Sequence, residues 1–198
     1  MEKEKELTSQ ESLELITSMI NKTKADFRDT GVSALLWGSL ITICALVTFF
    51  NGLYWKQDWL YSIWLLTVLG VIPQILISRR ERKARKHKSH QEDLIGGVWL
   101  SYAIAVLLLT FIQGDRDIPN INSMYLILYA IPTFTTGFGR RFKPMIVGGI
   151  ACWVFAVLSL ITPWPYKILY NAAGAQLAWF IPGLILRRAY LKAKQQHV

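Results

Sequence analysis

Ionisable residues are missing from six long stretches of this chain. Ala34–Trp55, Leu60–Ser78, Gly96–Ile112, Ser123–Phe138, Met145–Thr162 and Tyr166–Leu186 hold no Asp, Glu, Arg or His, and only Lys167 sits at a margin. Proton- and sodium-coupled carriers keep such a group inside the membrane to bind and release the ion, so this composition argues against coupling of that kind. Cysteine is nearly absent. Cys44 and Cys152 both fall inside the apolar stretches, where a thiol behaves as a small apolar residue, and neither a disulfide framework nor a metal site follows from two such residues. The histidines, His87, His90 and His197, lie outside the stretches, and Arg85, Lys86 and Lys88 around the first two repel a cation. H-E-x-x-H, G-x-S-x-G, C-x-x-C and Walker motifs are all missing. No cofactor is implied, and an intramembrane enzyme is the class with least support.

What is present is a strongly alternating layout. A helix needs about 20 apolar residues to cross a hydrocarbon core of about 30 Å, so the six stretches read as six membrane spans of an all-α polytopic protein. All of the 22 lysines and arginines except Lys56, Arg116 and Lys167 fall on one side of that arrangement. Because Lys and Arg in short connections resist translocation, both termini and the basic connections are expected in the cytoplasm. The formal net charge of +9 is then explained by strips flanking the spans rather than by nucleic-acid binding.

Three regions follow: a cytoplasmic arm at 1–33, a transmembrane domain at 34–186 and a basic tail at 187–198. In the arm, Thr8 and Glu11 form an S/T-x-x-E capping box, and Leu13, Ile16, Ile20 and Phe27 recur at helical spacing, predicting an amphipathic helix that Gly31 ends. Its apolar face either packs on the protein's own loops or docks a protein partner or second copy. Met1–Asp29 is charged and mixed in sign, so the first span is expected to be an uncleaved anchor.

The spans resemble three copies of one hairpin, at 34–78, 96–138 and 145–186. Each odd span opens with small residues four apart: Ala34, Gly38, Thr42; Gly97, Ser101, Ala105; Gly148, Cys152, Ala156. That spacing makes a smooth stripe that admits a close neighbour. Each even span carries an Ile-Pro step, at Pro73, Pro132 and Pro182, followed by an arginine pair: Arg79–Arg80, Arg140–Arg141 and Arg187–Arg188. The prolines are candidate bends, and the arginine pairs are stop signals or contacts for phospholipid headgroups. The intramembrane amides Gln74, Asn171 and Gln176 are either bridges between helices or the lining of a cavity for a neutral solute.

The segments Glu11–Ile20, Leu36-Trp37-Gly38 and Phe180-Ile181-Pro182-Gly183-Leu184-Ile185-Leu186 before a basic tail resemble a family of uncharacterised bacterial six-span membrane proteins. In that family the closing motif often reads I-P-G-H followed by an apolar residue, and here Leu184 stands where the histidine would be. The resemblance implies the six-span layout and a location in a bacterial cell (inner) membrane, with no activity attached. The expected function is a non-enzymatic membrane protein that binds lipid or a protein partner, with regulation of that partner as one form of the role; the alternative is a carrier or channel for a neutral or lipidic solute.

Overall fold

The computed structural model describes residues 30–84, 90–115 and 118–195. The arm helix expected at residues 8–29 and the histidines His87 and His197 lie outside them. Every regular element among the described residues is helical. In chain order they are α1 (Val32–Phe50) continued by a π turn (Asn51–Trp55), a 3₁₀ helix (Asp58–Trp64) leading into α2 (Leu65–Leu69) and α3 (Val71–Ala84), α4 (His90–Asp115), α5 (Ile121–Gly139), α6 (Lys143–Ile161), and α7 (Ile168–Ala175) joined by a second π turn (Gln176–Phe180) to α8 (Ile181–Gln195). They make six rods, one for each apolar stretch.

Five rods are long and apolar enough to cross a membrane: Val32–Trp55, Asp58–Lys83, Gln91–Gly114, Lys143–Ile161 and Ile168–Gln195. The remaining rod, α5, has 19 residues, about 28 Å of helix. It is less apolar for a visible reason. Asn122, Ser123, Thr133 and Thr136 are all buried against other helices, where a polar group finds a partner that lipid does not offer.

The sixth rod is the hub. Half of its most apolar window is buried, against 6% for the second and third rods. It packs on the first rod, on α5 and on α6; α5 and α6 form the closest pair; α4 leans on α5, and the second rod leans on the first. The exposed leucines and isoleucines of α3 and α4, such as Leu76, Leu100 and Leu107, belong to these peripheral rods.

Glycine sets the closest approaches. A Cβ on Gly38 would stand 2.6 Å from the Phe180 nitrogen, and one on Gly148 would stand 2.7 Å from the Ala178 Cα and run into the Leu177 carbonyl. Both neighbours belong to the π turn of the sixth rod, whose wider backbone is therefore cradled between two glycines. The stripes of the first and fifth rods thus meet the same helix. The stripe of the third rod does not behave this way: nothing lies within 4 Å of a Cβ on Gly97, and Ser101 is exposed. α4 reaches α5 and the sixth rod through Trp99 and Tyr102 instead, which turns its small residues outward.

The rod ends converge into two poles. At the first, Thr30 donates to the Glu81 carboxylate, Gln91 donates to the Gly139 carbonyl, Gly31 abuts Gly183 and Arg187, and Gly137 abuts Ile146. All three arginine pairs belong to this pole. At the other, Gly52 abuts Pro165, Tyr61 lies 6.4 Å from Trp164, and Asn51 clamps the first turn by exchanging two 2.9 Å hydrogen bonds with the Gln57 backbone. Tyr54, Trp55, Trp59 and Tyr166 are half or more exposed here, as interfacial aromatics are.

Candidate functional site

The three amides are placed on three different interfaces. Gln74 on α3 accepts from the Trp37 indole at 3.0 Å and donates to Ser33 at 3.1 Å and Ser78 at 3.0 Å, tying the second rod to the first. Gln176 donates to Thr42 at 2.8 Å between the sixth rod and the first. Ser33 and Thr42 are nine residues apart on α1, about 13 Å of helix rise. Asn171 is buried and donates to Asn122 at 3.1 Å, joining α7 to α5. Each amide bridges a pair of helices, and the three side chains do not share a set of partners.

The prolines also differ from one another. A proline ring collides with the carbonyl four residues back and removes one helical hydrogen bond. For Pro73 that carbonyl belongs to Leu69, where α2 stops and Gly70 interrupts the rod. For Pro182 it belongs to Ala178, inside the π turn Gln176–Phe180, a widened turn that accommodates the ring. Pro132 sits fully buried within α5, which continues through it as a single helix.

Hydroxyl and indole groups account for most of the remaining polarity. Thr42, Thr48, Thr133 and Thr162 each donate to the carbonyl four residues back at 2.7–2.8 Å, the local solution available in an apolar medium. Threonine oxygens also accept from tryptophan: Trp64 to Thr48 at 3.0 Å, Trp99 to Thr136 at 2.9 Å and Trp179 to Thr133 at 2.8 Å. Trp179 lies 4.8 Å from Tyr129 and 6.3 Å from both Trp99 and Tyr102, an aromatic cluster joining α4, α5 and the sixth rod. Sequence reasoning did not find this cluster. The available signal was Trp179, which lies well inside its apolar stretch; Trp99, close to the start of Gly96–Ile112, gave no such signal.

Of the arginine pairs, Arg79, Arg80, Arg141 and Arg188 are exposed, and Arg140 and Arg187 are half-buried. Arg187 lies over the Tyr190 ring at 5.6 Å. Two hollows lie at the poles. One, of about 530 Å³, is lined by Tyr54, Trp55, Gln57, Trp59 and Leu60 at the aromatic pole. The other, of about 350 Å³, is lined by Phe138, Arg141, Lys143 and Ile146 at the basic pole. The second combines cationic and apolar walls, a chemistry suited to an amphiphilic anion. Compared with protein-family models, curated proteins and solved structures, the chain matches none.

Proposed function

We propose that this chain is a non-enzymatic integral membrane protein of the bacterial cell membrane, with its basic pole in the cytoplasm, that binds phospholipid at that pole. The observation that carries the reading is the gathering of Arg79, Arg80, Arg141 and Arg188, all exposed, at one end of a bundle whose rods are apolar enough to span a membrane. Charges in that position meet the phosphates of one leaflet, and each Lys or Arg near an anionic surface contributes about 1 kcal/mol of attraction. The carrier reading needs Gln74, Asn171 and Gln176 on a common cavity, whereas each is hydrogen-bonded across a separate interface.

Native mass spectrometry of the full chain, purified in mild detergent, tests the reading. Retained phospholipid, enriched in anionic headgroups over zwitterionic ones, is the expected result. A protein that emerges without lipid, and that acquires none when phosphatidylglycerol is added, overturns it.

A further inference from the structure

We infer that the hollow between α5 and α6 is a selective site for one anionic phospholipid, with its phosphate held by Arg141 and Lys143 and an acyl chain lying on Phe138, Phe134 and Trp153. This rests on the lipid-binding reading and narrows it to one place and one headgroup charge.

The argument begins at the turn. α5 ends with Arg141 donating its N–H to the Phe138 carbonyl at 3.1 Å and Phe142 donating to the Gly137 carbonyl at 2.8 Å. This closure places Arg141 in the left-handed region at φ 52°, the conformation that most helix ends assign to glycine. Gly139 is only two residues away, yet an arginine occupies the strained position, and observed strain of this kind is a pointer to function. The consequence is positional. Arg141 and Lys143, both exposed and two residues apart, line one hollow with Phe138 and Ile146. Among the described residues neither cation forms an ion pair with a carboxylate.

The scaffold under the hollow is tightly built. A Cβ on Gly137 would stand 2.7 Å from the Ile146 nitrogen, and one on Gly149 would stand 2.8 Å from the Phe134 Cβ, so α5 and α6 are in backbone-level contact from the hollow inward. From the hollow an aromatic track leads along this pair: the Phe138 ring, 70% exposed, lies stacked 6.2 Å from Phe134, which lies 5.2 Å from Trp153. Val147 and Ile150 on α6 are also exposed. A planar guanidinium fork and a mobile ammonium suit a phosphate oxygen set. The apolar track distinguishes a lipid from a soluble phosphate. Two adjacent cations disfavour a headgroup that brings its own ammonium.

The other two arginine pairs lack this setting. Arg79 and Arg80 are exposed on the peripheral α3, and Arg187 is turned over the Tyr190 ring.

The test compares phosphatidylglycerol and phosphatidylcholine binding to the full chain in detergent by native mass spectrometry, with thermal unfolding of lipid-free protein measured alongside. The variants are Arg141→Gly with Lys143→Gln and, as the comparison, Arg79→Gln with Arg80→Gln. Arg141→Gly removes the guanidinium while relieving the left-handed backbone, so lipid-free stability is expected to hold or rise. Phosphatidylglycerol binding by that double variant should fall at least about tenfold, with phosphatidylcholine binding unchanged, and the α3 variant should lose much less. Equal losses in the two variants, or no loss in the first, overturn this site while leaving lipid binding in place. Displacement of phosphatidylglycerol by millimolar inorganic phosphate overturns the lipid assignment in favour of a free-anion site. Absence of phosphatidylglycerol binding to the parent protein overturns the wider reading.

Discussion

At the scale of single residues, the decisive chemistry is the hydrogen atom that replaces a side chain. Gly38 and Gly148 face the π turn of the sixth rod so closely that a methyl group would meet main-chain atoms, which do not swing aside as a flexible side chain does. Gly148→Ala should therefore destabilise the protein by about 1–3 kcal/mol, the cost of overpacking a closed interface. Gly97→Ala provides the contrast. With nothing within 4 Å and a helical backbone, it should be neutral or stabilising by about 0.5–1 kcal/mol. Thermal unfolding in the same detergent measures both, and equal shifts would mean that the fifth and third rods are not distinguished by packing. These two positions also mark a limit of sequence reading. Small residues four apart reveal that a helix has a smooth face. They carry no information on whether another helix or lipid covers it, because that depends on which other residues of the rod, here Trp99 and Tyr102, make the stronger contact.

At the scale of elements, the three Ile-Pro steps illustrate the same separation between local cause and tertiary outcome. Proline's local effect, loss of one N–H and a clash four residues back, was legible. Its outcome was not, because a break at Gly70, an unbroken α5 and a π turn before Pro182 are settled by what packs beside each helix. The sixth rod shows the strongest dependence, since its π turn needs two facing glycines and directs Trp179 at Thr133. That contact joins the sixth rod to α5 through one buried indole hydrogen bond of 2.8 Å. A double-mutant cycle of Trp179→Phe and Thr133→Val should give a coupling energy of about 0.6 kcal/mol, the average for hydrogen bonds between membrane helices, and no more than about 1.7 kcal/mol. Because Thr133 also donates to the Tyr129 carbonyl, the threonine variant alone should cost more than the tryptophan variant's lost hydrogen bond. Additive effects would mean that the two helices are held by shape alone.

At the scale of the whole molecule, the apolar lengths and the alternating charge were enough to read six rods, because both are dictated by a bilayer's thickness and by the difficulty of moving Lys and Arg across it. The observed rods run past the apolar margins, as Asp58–Lys83 does beyond Leu60–Ser78, since a helix has no reason to stop where hydrocarbon does. Less legible was the order of packing: that the sixth rod is central and the second and third peripheral follows from long-range contacts that no local pattern encodes.

The charge partition now has a geometric meaning, which a labelling experiment can test. Among the described residues, Arg79, Arg80, Arg82, Lys83, Arg140, Arg141, Lys143, Arg187, Arg188, Lys192 and Lys194 belong to one pole or its helical extensions, and only Lys56 and Lys167 to the other. Cys44 and Cys152 are completely buried, so a membrane-impermeant maleimide should leave the parent protein unmodified and report only an introduced thiol. Single substitutions Lys83→Cys and Gln195→Cys should label in inside-out vesicles and not in intact cells, and Asp58→Cys should show the reverse. Lys83 and Asp58 terminate the same rod, so their labelling from one side would mean that this rod does not cross the membrane. Inversion of the whole pattern would keep all six rods and place the basic pole outside, against the rule that short basic connections stay in the cytoplasm. It would also remove the basic pole from the cytoplasmic leaflet, whose anionic lipids supply the attraction invoked for its arginines.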